Sequence, residues 1–283
     1  MLNALSFDLE DWFHIIGIAE LEDASRWDAF PSIFERYTLA ILDDLDAFGV
    51  TATFFTVGWI ARRYPDVIRE VARRGHEIGS HSDMHRTVGA LGPKAFAGDL
   101  ARSLDALAPC TSQPIRGFRA PSFSITPGCE WAFDALLDAG FDYDASLFPA
   151  PRAHGGYPCP EAPHVQTAPS GRSIPELPMT TMRVAGRQIA FSGGGYLRLL
   201  PGAAIRAGFR QAHAAGRPVV VYLHPRDFAP DAPLPPMPLY RRFKTRVGLG
   251  TTRPKLRDLL TRYRFDTCAA VLDRALALRQ ARA

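Results

Sequence analysis

An α/β architecture on a largely parallel sheet follows from three features of this chain. Short apolar or β-branched runs alternate with stretches whose apolar residues recur at helical spacing, the order that builds parallel sheets. Several of these runs end abruptly in an acid, a histidine or an arginine, as strands do when they carry chemistry at their carboxyl ends. The length of 283 residues, with 47% hydrophobic and 22% charged, suffices for one large unit of α/β-barrel size or two small domains.

Residues 4–9 are short, mostly apolar and followed by acids, which predicts a buried first strand. Over 32–48, Ile33, Phe34, Tyr37, Ile41, Leu42 and Leu45 repeat at helical spacing, and Gly49 terminates the helix. Residues 51–57 are rich in β-branched and aromatic side chains and form the second strand. A helix over 65–74 stops at Gly75, and 77–79 is a short third strand. The alternation continues with a helix over 94–107 and a strand over 115–119, with Pro121 forcing a loop. Next come a helix capped by Thr126 with Pro127 in its first position, running to Gly140, and a strand over 141–146. Between Phe148 and Pro175 the chain is rich in Pro, Gly and His without periodicity, which predicts an excursion over the mouth of the sheet.

Extended pieces follow at 174–178 and 188–191. The run Ser192-Gly193-Gly194-Gly195-Tyr196 can bring backbone amides to a ligand but is no phosphate loop, because no Gly-Lys-Ser/Thr follows. A helix over 201–215 leads into the very hydrophobic strand 218–223, terminated by His224 and Pro225. A proline-rich linker over 229–238, a helix over 255–263, a strand-like Arg264-Phe265 and a helix over 268–279 complete the chain.

The formal charge of +4 is modest and the basic residues are scattered, so no nucleic-acid partner is expected. One cluster, Arg241, Arg242, Lys244 and Arg246, reads as a solvated face or as a peripheral contact with phosphate or an anionic membrane. Cys110, Cys129, Cys159 and Cys268 show no CxxC spacing and no disulfide framework, which fits a reducing compartment. The first residues carry no basic n-region, long apolar core or cleavage site, and no apolar run is of membrane-spanning length. The expectation is a soluble, cytoplasmic protein.

Gly79-Ser80-His81-Ser82-Asp83-Met84-His85 places two imidazoles four positions apart, and on a helical turn both face one ion. Zinc catalysis uses three protein ligands and an open position, and the third donor is offered by the acids Asp8, Glu10 and Asp11. Five strand ends then converge on one rim, carrying these acids, the two histidines, Arg119, Asp144 and His224. Singly, Asp144 reads as a helix cap, Arg119 as a salt-bridge partner and His224 as a core histidine; jointly they read as a site. Trp12, Phe13 and His14 either line a sugar cleft or pack over the strand end.

These motifs resemble those of the polysaccharide deacetylases, the NodB homology domain of carbohydrate esterase family 4. Phe7-Asp8 is similar to that family's first motif, His81-Ser82-Asp83-Met84-His85 to its His-Ser/Thr-x-x-His metal motif and Arg119-Ala120-Pro121 to its Arg-x-Pro motif. Asp144-Ala145-Ser146 resembles the fourth and Leu223-His224 the last. The segments from Ser6 to Phe13, Arg119 to Ile125 and Ser192 to Pro201 are similar, more narrowly, to the subfamily encoded in exosortase-associated exopolysaccharide loci. The resemblance implies a single domain over 1–283: a distorted (β/α)7-type barrel bearing the motifs over 4–224 and a C-terminal helical extension over 225–283.

The same resemblance implies a divalent ion, zinc first with cobalt, nickel or manganese as alternatives, held by His81, His85 and either Glu10 or Asp11. The wider family has two adjacent aspartates in its first motif, whereas Leu9 follows Asp8 here. On an extended strand Asp8 and Glu10 share a face, which favours Glu10, while Asp11 requires the chain to turn. The implied roles are Asp8 as general base oriented by Arg119, and His224 as general acid held cationic by Asp144. Trp12, Ser122 and Phe123 would touch substrate, with the Ser122 amide at the oxyanion. The implied reaction removes N-acetyl groups from N-acetylhexosamine residues of an exopolysaccharide or its lipid-linked precursor. Competing readings are hydrolysis of another amide or a cyclic ureide on the same scaffold, and a non-catalytic glycan-binding module.

Overall fold

A computed structural model describes residues 1–150 and 154–280. Its strands are β1 (Leu2–Leu9), β2 (Thr53–Thr56), β3 (Glu77–Ser80), β4 (Gly117–Phe118), β5 (Tyr143–Asp144), β6 (His164–Thr167), β7 (Ser173–Glu176), β8 (Thr181–Val184), β9 (Arg187–Ala190), β10 (Val220–Leu223) and β11 (Arg264–Asp266). Among the described residues one sheet runs β10-β1-β2-β3-β4-β5-β7-β6, with β11 also on β1, and only β6 against β7 is antiparallel. Ala4 pairs with Val220 on one edge of β1 and with Asp266 on the other, so β11 lies in line with β2. The two ends of the chain therefore share one sheet.

Helices Phe34–Phe48, Pro65–Arg73, Val88–Leu107, Trp131–Asp138 and Gly202–Ala214 cover the sheet in the alternation the sequence implies. Helix Phe34–Phe48 buries Phe34, Ile41, Leu42 and Leu45 against the Phe7, Phe54 and Leu223 face, then stops at Gly49, whose φ of 60° suits glycine. The later helix Thr252–Arg262 is clamped to it by Asp44, a buried acid that accepts from both Arg253 and Arg257.

The expected helix with a Thr126 cap begins later, at Trp131. Residues 126–129 instead close a turn, Cys129 N donating to the Thr126 carbonyl at 2.8 Å, and Gly128 at φ 93° keeps the chain out of the helix. Helix Val88–Leu107 starts earlier than expected because it continues past a kink at Gly92 and Pro93. The aperiodic stretch after Phe148 hides β6, whose four residues pair with β7 at the sheet edge. The β8–β9 hairpin turns through Ala185 and Gly186 at φ 48° and 78°, both left-handed as a type I′ turn requires. An alanine there gives no turn signal, so β8 escaped the sequence reading.

Candidate active site

Period-two alternation along β1 sends Ser6 and Asp8 to one face, and a single guanidinium collects both: Arg119 Nη1 donates to Ser6 Oγ at 2.8 Å and Asp8 Oδ1 at 2.7 Å. Arg119 follows β4 directly, is fully buried, and stacks 4.1 Å from the centroid of the Phe55 ring. Burial pushes the Asp8 carboxyl up, but Arg119, His81 and His224 outweigh it and bring it below its ordinary value. Asp8 is thus an anion in a dry setting, beside His224 Nε2 at 3.7 Å from Oδ2.

His81 and His85 meet, but not on a helical turn as expected. They occupy an irregular loop after β3 in which Ser82 and His85 take φ of 66° and 52°, a region costly for non-glycine residues. The neighbouring helix Gly58–Arg63 holds that loop, with Gly58 N on the Ser82 carbonyl and Trp59 N on the Asp83 carbonyl, each at 2.9 Å. Asp99 accepts the Asp83 amide at 2.8 Å, and the Asp83 carboxylate pairs with Arg62 and Arg102. Gly58 has to be glycine here, because a Cβ would lie 2.5 Å from Asp83 Oδ1.

Glu10, His81 and His85 offer ligand atoms that all lie within 4.8 Å of one another. His81 Nδ1 is 2.7 Å from the Arg119 carbonyl, which puts the proton on Nδ1 and leaves the Nε2 lone pair available. Burial lowers the His81 imidazole to about 4, so it is neutral as a ligand must be. Glu10 Oε2 faces His85 Nε2 at 2.7 Å while its Oε1 pairs with Arg226 at 2.6 Å. Burial raises the Glu10 carboxyl, yet Arg226, His85 and His224 hold it well below its ordinary value. Two imidazoles and one carboxylate oxygen around a common point fit a divalent ion with an open position. Asp11 is elsewhere: it caps the turn Trp12–His14, accepting from Trp12 N at 2.7 Å and from Ser32 Oγ. Of the two alternatives left by the sequence, the geometry selects Glu10.

The expected pairing of Asp144 with His224 does not occur. Asp144 accepts from Ser146 Oγ and shares a hydrogen bond with Glu176, opposite it in the β5–β7 ladder. His224 is held instead by Asp227, three residues on in the turn Pro225–Phe228, with Asp227 Oδ2 2.8 Å from Nδ1 and 2.9 Å from the His224 amide. Asp227 Oδ1 lies 3.0 Å from Arg198 Nε. Burial raises the Asp227 carboxyl, but His224, Arg198 and Arg226 bring it down to about 2. The spacing His224-Pro225-Arg226-Asp227 is that of a capping box, the signal that would have found it.

A cavity of about 230 Å³ opens over Asp8, Glu10, His81, His85 and His224. Ser122 and Phe123 line it as expected, both at positive φ, 55° and 57°. Trp12 does not: it is buried against Phe13 and Phe30, its Nε1 donating to the Pro31 carbonyl at 2.9 Å. The packing alternative weighed for this aromatic run therefore holds at Trp12, while the neighbouring His14 does reach the cavity. Gly194 and Gly195 of the glycine run also line it, as do Arg226 and Arg241, whose part the sequence did not disclose. The approach of this run needs glycine, since a Cβ on Gly193 would lie 2.0 Å from the Tyr222 ring.

Residues 24–135 match the family model described as polysaccharide deacetylase, and residues 145–273 match a domain of unknown function, DUF3473. A peptidoglycan-N-acetylglucosamine deacetylase of Bacillus cereus is 29% identical over 30% of this chain and 30% of its own length. A chitooligosaccharide deacetylase of Sinorhizobium fredii is 31% identical over 30% of this chain and 40% of its own length. The chain thus spans less than half the length of these curated relatives. Among solved structures, a Mycobacterium smegmatis protein assigned to the polysaccharide deacetylases shares the fold, with a TM-score of 0.61 at 21% identity over 98% of this chain and 92% of that one. The chain is thus similar to polysaccharide deacetylases over residues 24–135 and shares the fold of a solved structure, while residues 145–273 match the separate domain model.

Proposed function

We propose that this chain is a metal-dependent hydrolase that removes N-acetyl groups from N-acetylhexosamine residues of an exopolysaccharide or its lipid-linked precursor. One observation carries the reading: Glu10, His81 and His85 gather within 4.8 Å, beside a buried Asp8–Arg119 pair and a His224–Asp227 pair, on one cavity. The two curated relatives named above act, by name, on N-acetylated sugars, which supports the substrate class.

A divalent ion held by Glu10, His81 and His85, zinc first with cobalt, nickel or manganese compatible with the same donors, would activate a water and polarise the acetyl carbonyl. Asp8 takes the proton of the attacking water, and Arg119 keeps its carboxylate ionised and aimed. His224 gives a proton to the departing amine as the carbon–nitrogen bond breaks, releasing acetate and the free amino sugar. Asp227 fixes the His224 ring through Nδ1, so that Nε2 faces the reacting centre, 3.7 Å from Asp8 and 3.4 Å from Glu10. Ser122, on the cavity wall, supports the carbonyl oxygen. Action in the cytoplasm would direct the enzyme to a lipid- or nucleotide-linked precursor, which cell fractionation tests.

Acetate release from N-acetylhexosamine oligomers tests the reading, with Asp8→Asn and His224→Ala as controls. Acetate from the wild type and from neither variant is expected. Saturable glycan binding without acetate would replace the hydrolase by a binding module.

A further inference from the structure

Helix Leu239–Arg246 buries none of its side chains. Leu239, Tyr240 and Phe243, exposed by 82%, 63% and 59%, are the most exposed large apolar side chains among the described residues. At 3.6 residues per turn they share an arc of about 100° on one face. Arg241 and Thr245, on the opposite face, are half-buried and fix the helix on the body. The Arg241 guanidinium donates to the carbonyls of Ile16 and Gly17, and Arg198 donates to the carbonyls of Lys244, Thr245 and Val247. The apolar arc therefore faces outward by construction.

Charge complements that arc. Exposed Arg242 and Lys244 flank it on either side, and residues 232–257 contain no Asp or Glu. Arg246 is engaged by the carbonyls of Pro230 and Ala232, which leaves Arg242 and Lys244 as the cations turned to an outside partner. A second copy laid face to face would set these cations against their own equivalents, and a nucleic acid would gain nothing from the leucine and phenylalanine at the centre. An apolar stripe between basic flanks matches the headgroup region of an anionic bilayer.

We propose that this helix docks the protein on the surface of an anionic phospholipid membrane. Leu239, Tyr240 and Phe243 enter the headgroup layer while Arg242 and Lys244 meet lipid phosphates. Arg241, on the inner side of the same helix, lines the active-site cavity, so docking holds the cavity close to membrane-anchored glycans. The inference goes beyond the hydrolase reading and does not depend on it.

Vesicle flotation with the full chain tests the proposal. The protein should float with phosphatidylcholine vesicles containing phosphatidylglycerol, stay behind with phosphatidylcholine alone, and be released by high salt. Two double variants, Leu239→Ser with Phe243→Ser and Arg242→Glu with Lys244→Glu, should each lower the bound fraction about tenfold or more. Both alter exposed side chains, so an unchanged melting temperature separates lost docking from lost folding. The proposal is overturned if the wild type fails to float at low salt, if binding survives both double variants, or if the face instead closes a dimer that the serine pair dissolves.

Discussion

Asp227→Asn separates the geometry described above from the strand-end pattern that first suggested the site. The carboxylate bridges an imidazole and a guanidinium, with Oδ2 2.8 Å from His224 Nδ1 and Oδ1 3.0 Å from Arg198 Nε. At about 2, well below neutrality, it is an anion throughout the range in which an enzyme would be assayed. Asparagine keeps the shape and removes the charge. A hydrogen bond to a charged group contributes about 1.5–3 kcal/mol. At about 1.4 kcal/mol per tenfold, the variant should lower kcat/KM for acetate release roughly ten- to a hundredfold. Initial rates of acetate release at one fixed neutral pH read this directly. Asp144→Asn is the comparison, because Asp144 reaches Ser146 and Glu176 rather than His224 and should leave kcat/KM close to that of the wild type. A kcat/KM unchanged in Asp227→Asn, or lowered as far in Asp144→Asn, refutes the reasoning.

Chelation should abolish acetate release and added zinc or cobalt should restore it; turnover in metal-free protein would remove the ion from the proposed reaction. Glu10→Gln should lose bound metal by mass spectrometry, whereas Asp11→Ala should keep it and lose only a helix-type cap, about 1 kcal/mol in a urea melt. Asp44→Ala should lower the unfolding free energy read from a urea melt by about 1–3 kcal/mol, the value discounted because Arg253 and Arg257 are half exposed, and an unchanged midpoint would deny the clamp any role. Asp144 and Glu176 are both raised, by burial first and, for Glu176, by the neighbouring acid. A carboxyl raised in the fold binds its proton more tightly there, so the stability it contributes is present at acid pH and lost as pH rises through the raised value. Glu176→Gln should accordingly melt higher than wild type at neutral and alkaline pH, with the gap closing below about pH 4; a gap that widens toward acid would reverse the assignment.

The rim was legible because parallel strands deliver their carboxyl ends to one side whatever their exact bounds. Asp8, His81, Arg119 and His224 converge even though β4 and β5 are only two residues each. Alternation along β1 also made it readable that Glu10 rather than Asp11 lies near the two imidazoles, since this needs only the period of a strand. The His81–His85 spacing pointed to two rings that do converge, though not on a helical turn, as the loop adopts left-handed conformations at Ser82 and His85 that no glycine advertises. Asp144 misled because its motif position carries no information about which neighbour its carboxyl reaches. Once Glu176 lies opposite it in the ladder, the two acids share a hydrogen bond and His224 must find its partner in the following turn. Trp12 was ambiguous for a similar reason: an aromatic after a strand end packs or lines according to what covers it, and Phe13 and Phe30 cover it.

Asp8, Glu10 and Asp227, the three acids whose charge the proposed chemistry uses, each have a guanidinium of their own. Arg119 lies 2.7 Å from Asp8, Arg226 2.6 Å from Glu10 and Arg198 3.0 Å from Asp227, and all three acids are at most 2% exposed. Without a counter-charge, acids buried so deeply would take up protons, and neither a general base nor a metal ligand works in that state. Buried ion pairs of this kind are poor contributors to stability, because desolvation offsets much of their attraction. Their value here lies in holding charge where the reaction needs it. Only Arg119 belongs to a strand-end motif; Arg198 and Arg226 come from the helix Gly194–Leu199 and the turn Pro225–Phe228, where the residue pattern does not tell which acid each one meets. The acids and histidines of the proposed reaction could be read along the chain, whereas the cations that keep those acids ionised had to be found in space.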